Sequence, residues 1–227
     1  NFVNPWKNIF ELIKFNEKPL RQYPEKLKSW PAFGFFLIFA WIELVYPTPA
    51  YPQFLGNMIF VYSVIVLAGM RVFGKDKWLN NCEPFTVFFN FVSSFSMTRV
   101  TSDGKILLRP IASGLLDVRY RFDQLCFLIL ILSVVSFDGL ISTLFWYDFI
   151  GIDVFGGSGR LDVIYVNTVG ILLSFIVFFS VFYSFVTIAK VITQTDITVV
   201  DLAQRFGPAL LPISIVYHLA HYSSYFF

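Results

Sequence analysis

The chain has 227 residues, of which 56% are hydrophobic and only 14% charged, with 29 Phe and a net charge of +2. Soluble domains carry about 25% charged residues, so this composition excludes an ordinary soluble globular protein and marks a membrane protein. A nucleic-acid-binding surface has no support either, because the basic residues follow a pattern that membrane topology explains.

Residues 1–29 read as a cytoplasmic or interfacial segment. In "NPWKNIFELIKF" the apolar residues recur at helical spacing and Asn4-Pro5 supplies a helix start, which suits a helix lying in the membrane interface. A linker helix between spans further upstream fits the same residues. Pro5, Pro19 and Pro24 interrupt the segment, so it does not read as a signal peptide. Asn1 is not an initiator Met and no polar flank follows Phe227, so both ends are expected to be cut from a longer chain.

Residues 30–227 read as an all-α, polytopic transmembrane helical bundle. Five windows are apolar enough to span: about 30–46, broken only by Glu43; 51–73; 124–147, broken only by Asp138; 163–189; and 206–227, broken by His218 and His221 and bent by Pro208 and Pro212. The clearest is the stretch of 27 uncharged residues between Asp162 and Lys190. As a helix it would be about 40 Å long, against a hydrocarbon core of about 30 Å. No window alternates with the period of two that a membrane β-strand needs.

Orientation follows from Lys and Arg. Six precede Trp30, eight lie from Arg71 to Arg121, and Lys190 and Arg205 precede the last window, whereas the loop "DFIGIDVFGGSGRLD" holds only Arg160. Sixteen of the 17 therefore fall on one side. By the positive-inside rule that side is cytoplasmic, which places the chain in the cell inner (plasma) membrane with its N-terminal side in, its C-terminus out and an odd number of spans.

The insert 75–123 has structure of its own. "EPFTVFFNFVSSFSM" starts with Glu83 and Pro84, suited to a first helical turn, and is too short to span. In "TRVTSDGKILLRP" Asp103-Gly104 stands between two β-prone runs, a hairpin signal. The ribbon would either rest on anionic headgroups through Arg99, Lys105 and Arg109 or act as a basic lip that only sets orientation. Cys82 and Cys126 lack CxxC spacing and sit on the reducing side, so both read as packing residues.

Four segments in this order, "EPFTVFFNFVSSFSM", "DGKILLRPIASGL", "VVSFDGLISTLFWY" and "PISIVYHLAHYSSYFF", resemble a family of bacterial and archaeal polytopic membrane proteins whose members carry the name fenitrothion hydrolase. The likeness runs from about Trp30 onward, with "FDG" and "YHLAHY" as its most specific pieces. It implies a longer multi-span helical protein with further spans upstream; a hydrolytic activity is suggested by the family's name alone. The family pattern also has a His-Gly segment near its start, which these residues lack, so a site needing it would be incomplete here.

Ionisable residues within spans are functional candidates by default, and there are four: Glu43, Asp138, His218 and His221. Counted along each window, all four lie about 17–21 Å from the cytoplasmic end, just past the midplane. The histidines, three residues apart, sit about 60° apart on one helix face. Asn57, Tyr62, Ser63, Asn167 and Thr168 fall near the same level, and Gly139 would let a neighbouring helix approach Asp138.

Three readings stay open. Asp138 and Glu43 could accept hydrogen bonds from the histidines and from Tyr217 or Tyr222 as a clamp on helix packing. His218, His221 and Asp138 could hold a divalent metal such as Zn²⁺, Fe²⁺ or Cu²⁺, whose water would attack an ester or phosphotriester with Glu43 as general base. The same groups could carry protons or ions. The corresponding functions are a metal-dependent hydrolase, a non-catalytic subunit of a larger membrane complex, and a component of a transporter. Expected partners are the lipid bilayer and other membrane helices or subunits. A bis-His haem does not suit two histidines on one helix. P-loop, GxGxxG and GxSxG motifs are absent, and no inverted repeat is visible.

Overall fold

The computed structural model describes residues 4–13, 18–100, 104–152 and 159–223. Ten α-helices, one pair of short strands and three short 3₁₀ turns are seen among them. The chain divides into two compact units, residues 1–88 with 155–167, and residues 89–154 with 168–227.

In the first unit, helix α1 (Pro5–Leu12) starts where the sequence places it: the Asn4 side chain accepts from the Lys7 N–H and Pro5 takes the first position. Helix α2 (Trp30–Leu44) and helix α3 (Pro52–Phe73) follow, each with Pro in its first turn. Gly74, at φ +88°, closes α3 in a conformation that costs glycine little, and helix α4 (Lys75–Asn81) folds back. The turn brings Trp78 onto Gly69 and stacks it on Phe73, with ring centroids 5.7 Å apart.

Helix α1 is docked along α3. Phe10 is buried with Val66, Met70 and Leu79, and the Trp6 indole donates to Ser63 Oγ at 2.9 Å. Beyond it the chain is tied to the far end of α3: the Arg21 N–H donates to Val72 O at 2.8 Å and Arg71 to Lys18 O at 3.1 Å. Lys75 and Lys77 pair with Glu11 and Glu25, and the Lys75 hydrogen bond holds the Glu11 carboxyl below the usual range. These exposed pairs add little stability by themselves. At the opposite end of α2, Arg160 Nη1 donates to Glu43 O and Tyr46 O, both at 3.1 Å, satisfying helix-terminal carbonyls with a cation.

Helix α5 (Pro84–Ser93) runs from the first unit into the second. In the second unit, Thr98–Val100 (β1) pairs antiparallel with Ile106–Leu108 (β2), Thr98 opposite Leu108. Arg109 holds the base of this ribbon, donating from Nε to Ser96 O at 2.8 Å and from Nη2 to Ser94 O and Ser93 O. Asp103 of the expected turn lies outside the described residues, as do Lys14 and residues 156–158 of the glycine-rich loop.

Helix α6 (Phe122–Ile141) is buried without interruption from Leu125 to Val135, the mark of a helix apolar all round its circumference. After a break, helix α7 (Leu144–Phe149) begins on Thr143, which caps it by accepting from the Trp146 N–H. Within this unit helix α8 (Ile164–Thr193) packs on α6, where Gly170 admits the Phe137 ring and Ser174 Oγ donates to Ser133 O at 3.1 Å. Helix α9 (Val199–Phe206), a 3₁₀ turn at Gly207–Ala209 and helix α10 (Leu210–Ser223) complete the chain. Leu202 and Ala203 of α9 close a core with Leu125, Ile129 and Val186.

The protein is thus a helical bundle with, among the described residues, four helices long and apolar enough to cross a membrane: Pro52–Phe73, Phe122–Ile141, Ile164–Thr193 and the bent Val199–Ser223. Three expectations shift. The window 30–46 gives a helix of 15 residues, about 22 Å long and shorter than the hydrocarbon core. The window 124–147 breaks at Ser142, because Thr143 caps a new helix. The last helical segment begins at Val199 rather than 206, with Pro208 absorbed in the 3₁₀ turn.

Candidate functional site

The polar residues of α10 recur on one face. Ser214, Tyr217, His218 and His221 stand at helical spacings of three and four, and α6 packs against this helix. Gly139 lies under the face: a Cβ there would meet the Tyr217 hydroxyl at 3.3 Å, so the missing side chain lets the two helices approach as expected. One turn on, His221 Nε2 lies 2.7 Å from Asp138 Oδ2. About a fifth of each side chain is exposed (18% and 19%), so the bridge sits under partial cover.

His218 is turned differently. Its Nδ1 lies 2.8 Å from Ser214 O, one turn back on its own helix, so Nδ1 carries the hydrogen and donates. The Ser214 hydroxyl is fully buried and meets no hydrogen-bond partner among the described residues. Tyr222 packs edge-on to His221, with ring centroids 5.1 Å apart.

Of the four residues singled out by sequence, the structure therefore joins two, Asp138 and His221. Among the described residues no group of three or more His, Cys, Asp or Glu side chains is placed to hold a metal ion, so His218, His221 and Asp138 do not converge as a ligand set. Glu43 belongs to the first unit, and its backbone carbonyl is one of the two that receive Arg160. Within the second unit, the shared level inferred for Asp138 and the two histidines does not translate into one ligand cluster. The break at Ser142 leaves Asp138 in the last turn of α6, and the early start of the last segment changes the depth count for the histidines.

A buried carboxylate escaped the sequence reading. Glu83, only 1% exposed, precedes α5 and accepts from the Phe85 N–H at 3.1 Å and the Thr86 N–H at 2.6 Å, so it caps the helix. It also accepts from the Tyr62 hydroxyl at 2.6 Å and from Thr86 Oγ1, while Asn4 Nδ2 donates to Thr86 Oγ1 at 2.9 Å. Tyr62 and Ser63, placed by sequence with the histidines, instead serve this cluster and the Trp6 contact. The available signal was an acidic residue directly before Pro84, which suggested a first turn but not burial. Asp123 is likewise buried, at the start of α6, and receives Arg121 in a two-pronged contact at 3.1 and 2.8 Å.

Comparison with known proteins finds no matching family model, no similar curated protein and no similar solved structure.

Proposed function

We propose that the chain is a five-span inner-membrane protein, N-terminal side cytoplasmic, that acts as a non-catalytic component of a larger membrane assembly. In this reading Asp138 and His221 lock its last helix onto α6. The observation that carries the lock is the direct 2.7 Å contact between carboxylate and imidazole. A buried polar group in a bilayer must find a partner, and here each finds the other across two helices.

What supports five crossings is the tie between Arg21 and Val72. It holds residue 21 at one end of α3, while Tyr51 caps the other end. Residues 22–51 must therefore run the whole length of a 22-residue helix, about 33 Å, and the short α2 with the turns that flank it makes that run. The same tie sets Lys18 and Arg21 beside Arg71 at that end of α3, and Lys75 and Lys77 follow directly in the chain.

The hydrolase reading needs His218, His221 and Asp138 to converge on one ion, and among the described residues no group of three such side chains is placed to do so. Metal analysis of the detergent-purified chain and of a His221→Ala variant separates the two readings. A helix lock is expected to show no stoichiometric metal and a drop in thermal stability on substitution. Stoichiometric Zn, Fe or Cu that disappears in His221→Ala, with the fold intact, would replace it with a metal centre.

A further inference from the structure

The ribbon and the turn after it expose more apolar surface than their place in the chain explains. Ile106, Leu107 and Leu108 are 70%, 51% and 82% exposed, and Ile111 and Leu116 follow at 65% and 89%. Successive side chains on a strand point to opposite faces, so three consecutive exposed apolar residues leave both faces of β2 apolar. A groove on a partner protein would cover one face, whereas a lipid phase covers both. Arg99 and Lys105 belong to the same ribbon, and only 13 residues lie between Leu108 and Phe122, where a membrane-length helix begins.

Arg109 is committed elsewhere. Its guanidinium lies on the carbonyls that end α5 and occupies the space where Gly114 would carry a Cβ, with Nη1 2.4 Å from that position. Its charge therefore fixes the ribbon on the helix end. We infer that β2 and the turn after it, residues 104–116, form a wedge that inserts into the headgroup and acyl boundary of an anionic leaflet, Ile106, Leu107, Leu108, Ile111 and Leu116 entering the apolar side and Lys105 meeting lipid phosphate. Interfacial elements of this kind sit about 5–10 Å into the boundary and respond to anionic lipid.

The test is nitroxide accessibility on the full chain in nanodiscs. A spin label is placed at Leu108→Cys or Leu116→Cys, with Leu161→Cys as the water-exposed control and the unsubstituted chain as the blank for the buried Cys82 and Cys126. In phosphatidylcholine containing phosphatidylglycerol, both wedge labels are expected to be more accessible to oxygen than to a soluble nickel complex, and to move shallower when phosphatidylglycerol is omitted. Greater access to nickel in both lipids would put the ribbon in water and overturn the wedge. Exclusion of both reagents would show a protein cover, a second copy or another subunit, and overturn it equally. A depth indifferent to phosphatidylglycerol would overturn the anionic specificity.

Discussion

His221 on α10 meets Asp138 on α6 at 2.7 Å, one helical turn beyond the point where Tyr217 rests on Gly139. The close approach at glycine and the polar bridge are thus parts of one helix contact. Removing either partner leaves the other short of a hydrogen bond under partial cover. Polar contacts between membrane helices average about 0.6 and reach about 1.7 kcal/mol. A double-mutant cycle of Asp138→Ala and His221→Ala is expected to give a coupling of about 0.5–2 kcal/mol in unfolding from detergent micelles. Additive losses would show that the two side chains stabilise the fold independently.

Gly69 is the tightest approach in the first unit. A Cβ there would lie 2.0 Å from Trp78 Cε2, and the indole cannot swing away freely because it stacks on Phe73 at an interplanar angle of 6°. Gly69→Ala is expected to cost about 1–3 kcal/mol through overpacking. The same substitution in a Trp78→Leu background should cost much less. Equal costs in both backgrounds would mean that the loss comes from elsewhere on α3.

The helices were legible in the sequence because charge-free runs, Pro at first turns and Asn4-Pro5 are local signals. What was not legible depends on where elements meet. Nothing within 124–147 marks Ser142 as an end until Thr143 caps the next helix, so that window was read as one span. Asp138 and His221 were singled out because charge inside an apolar helix is costly, but depth alone grouped Glu43 and His218 with them. Helix pairing sets His218 apart from the other two: Asp138 and His221 face each other across α6 and α10, whereas His218 bonds to its own backbone. Glu83 was missed for the opposite reason. It stands beside a loop in sequence, and only the docking of α1 and α3 around α5 buries it.

Cys82 is fully buried, and its Sγ donates to the Tyr23 hydroxyl at 3.4 Å. Burial pushes its thiol up to about 11. At pH 8 its thiolate fraction is then about two hundred times below that of an ordinary thiol near 8.5. Maleimide labelling of the native chain should be at least about 100-fold slower than after denaturation. The sign for stability follows from the same shift: the unfolded thiol ionises near 8.5 while the folded one keeps its proton, so this contribution is whole below about 8.5 and is lost as pH rises towards 11. Rapid labelling of Cys82 at pH 8 in the native state would contradict the burial.

Arg160 supplies the last prediction. It is the one basic residue assigned to the outer side, and it caps the end of α2 opposite the Arg21–Val72 tie. Lys77 and Leu161 therefore mark opposite ends of the first unit, one beside Glu25 at the basic end and one next to Arg160. With Cys82 and Cys126 buried, a single cysteine at either position reports sidedness cleanly. In inner-membrane vesicles of known orientation, Lys77→Cys is expected to react with a membrane-impermeant maleimide only from the cytoplasmic face, and Leu161→Cys only from the outer face. Arg160→Ala should leave that pattern intact while lowering stability by about 0.5–1.5 kcal/mol, because the carbonyls of Glu43 and Tyr46 lose a charged donor that is itself exposed. Labelling of both cysteines from one face would rule out a crossing by residues 22–51 and, with it, the five-span arrangement.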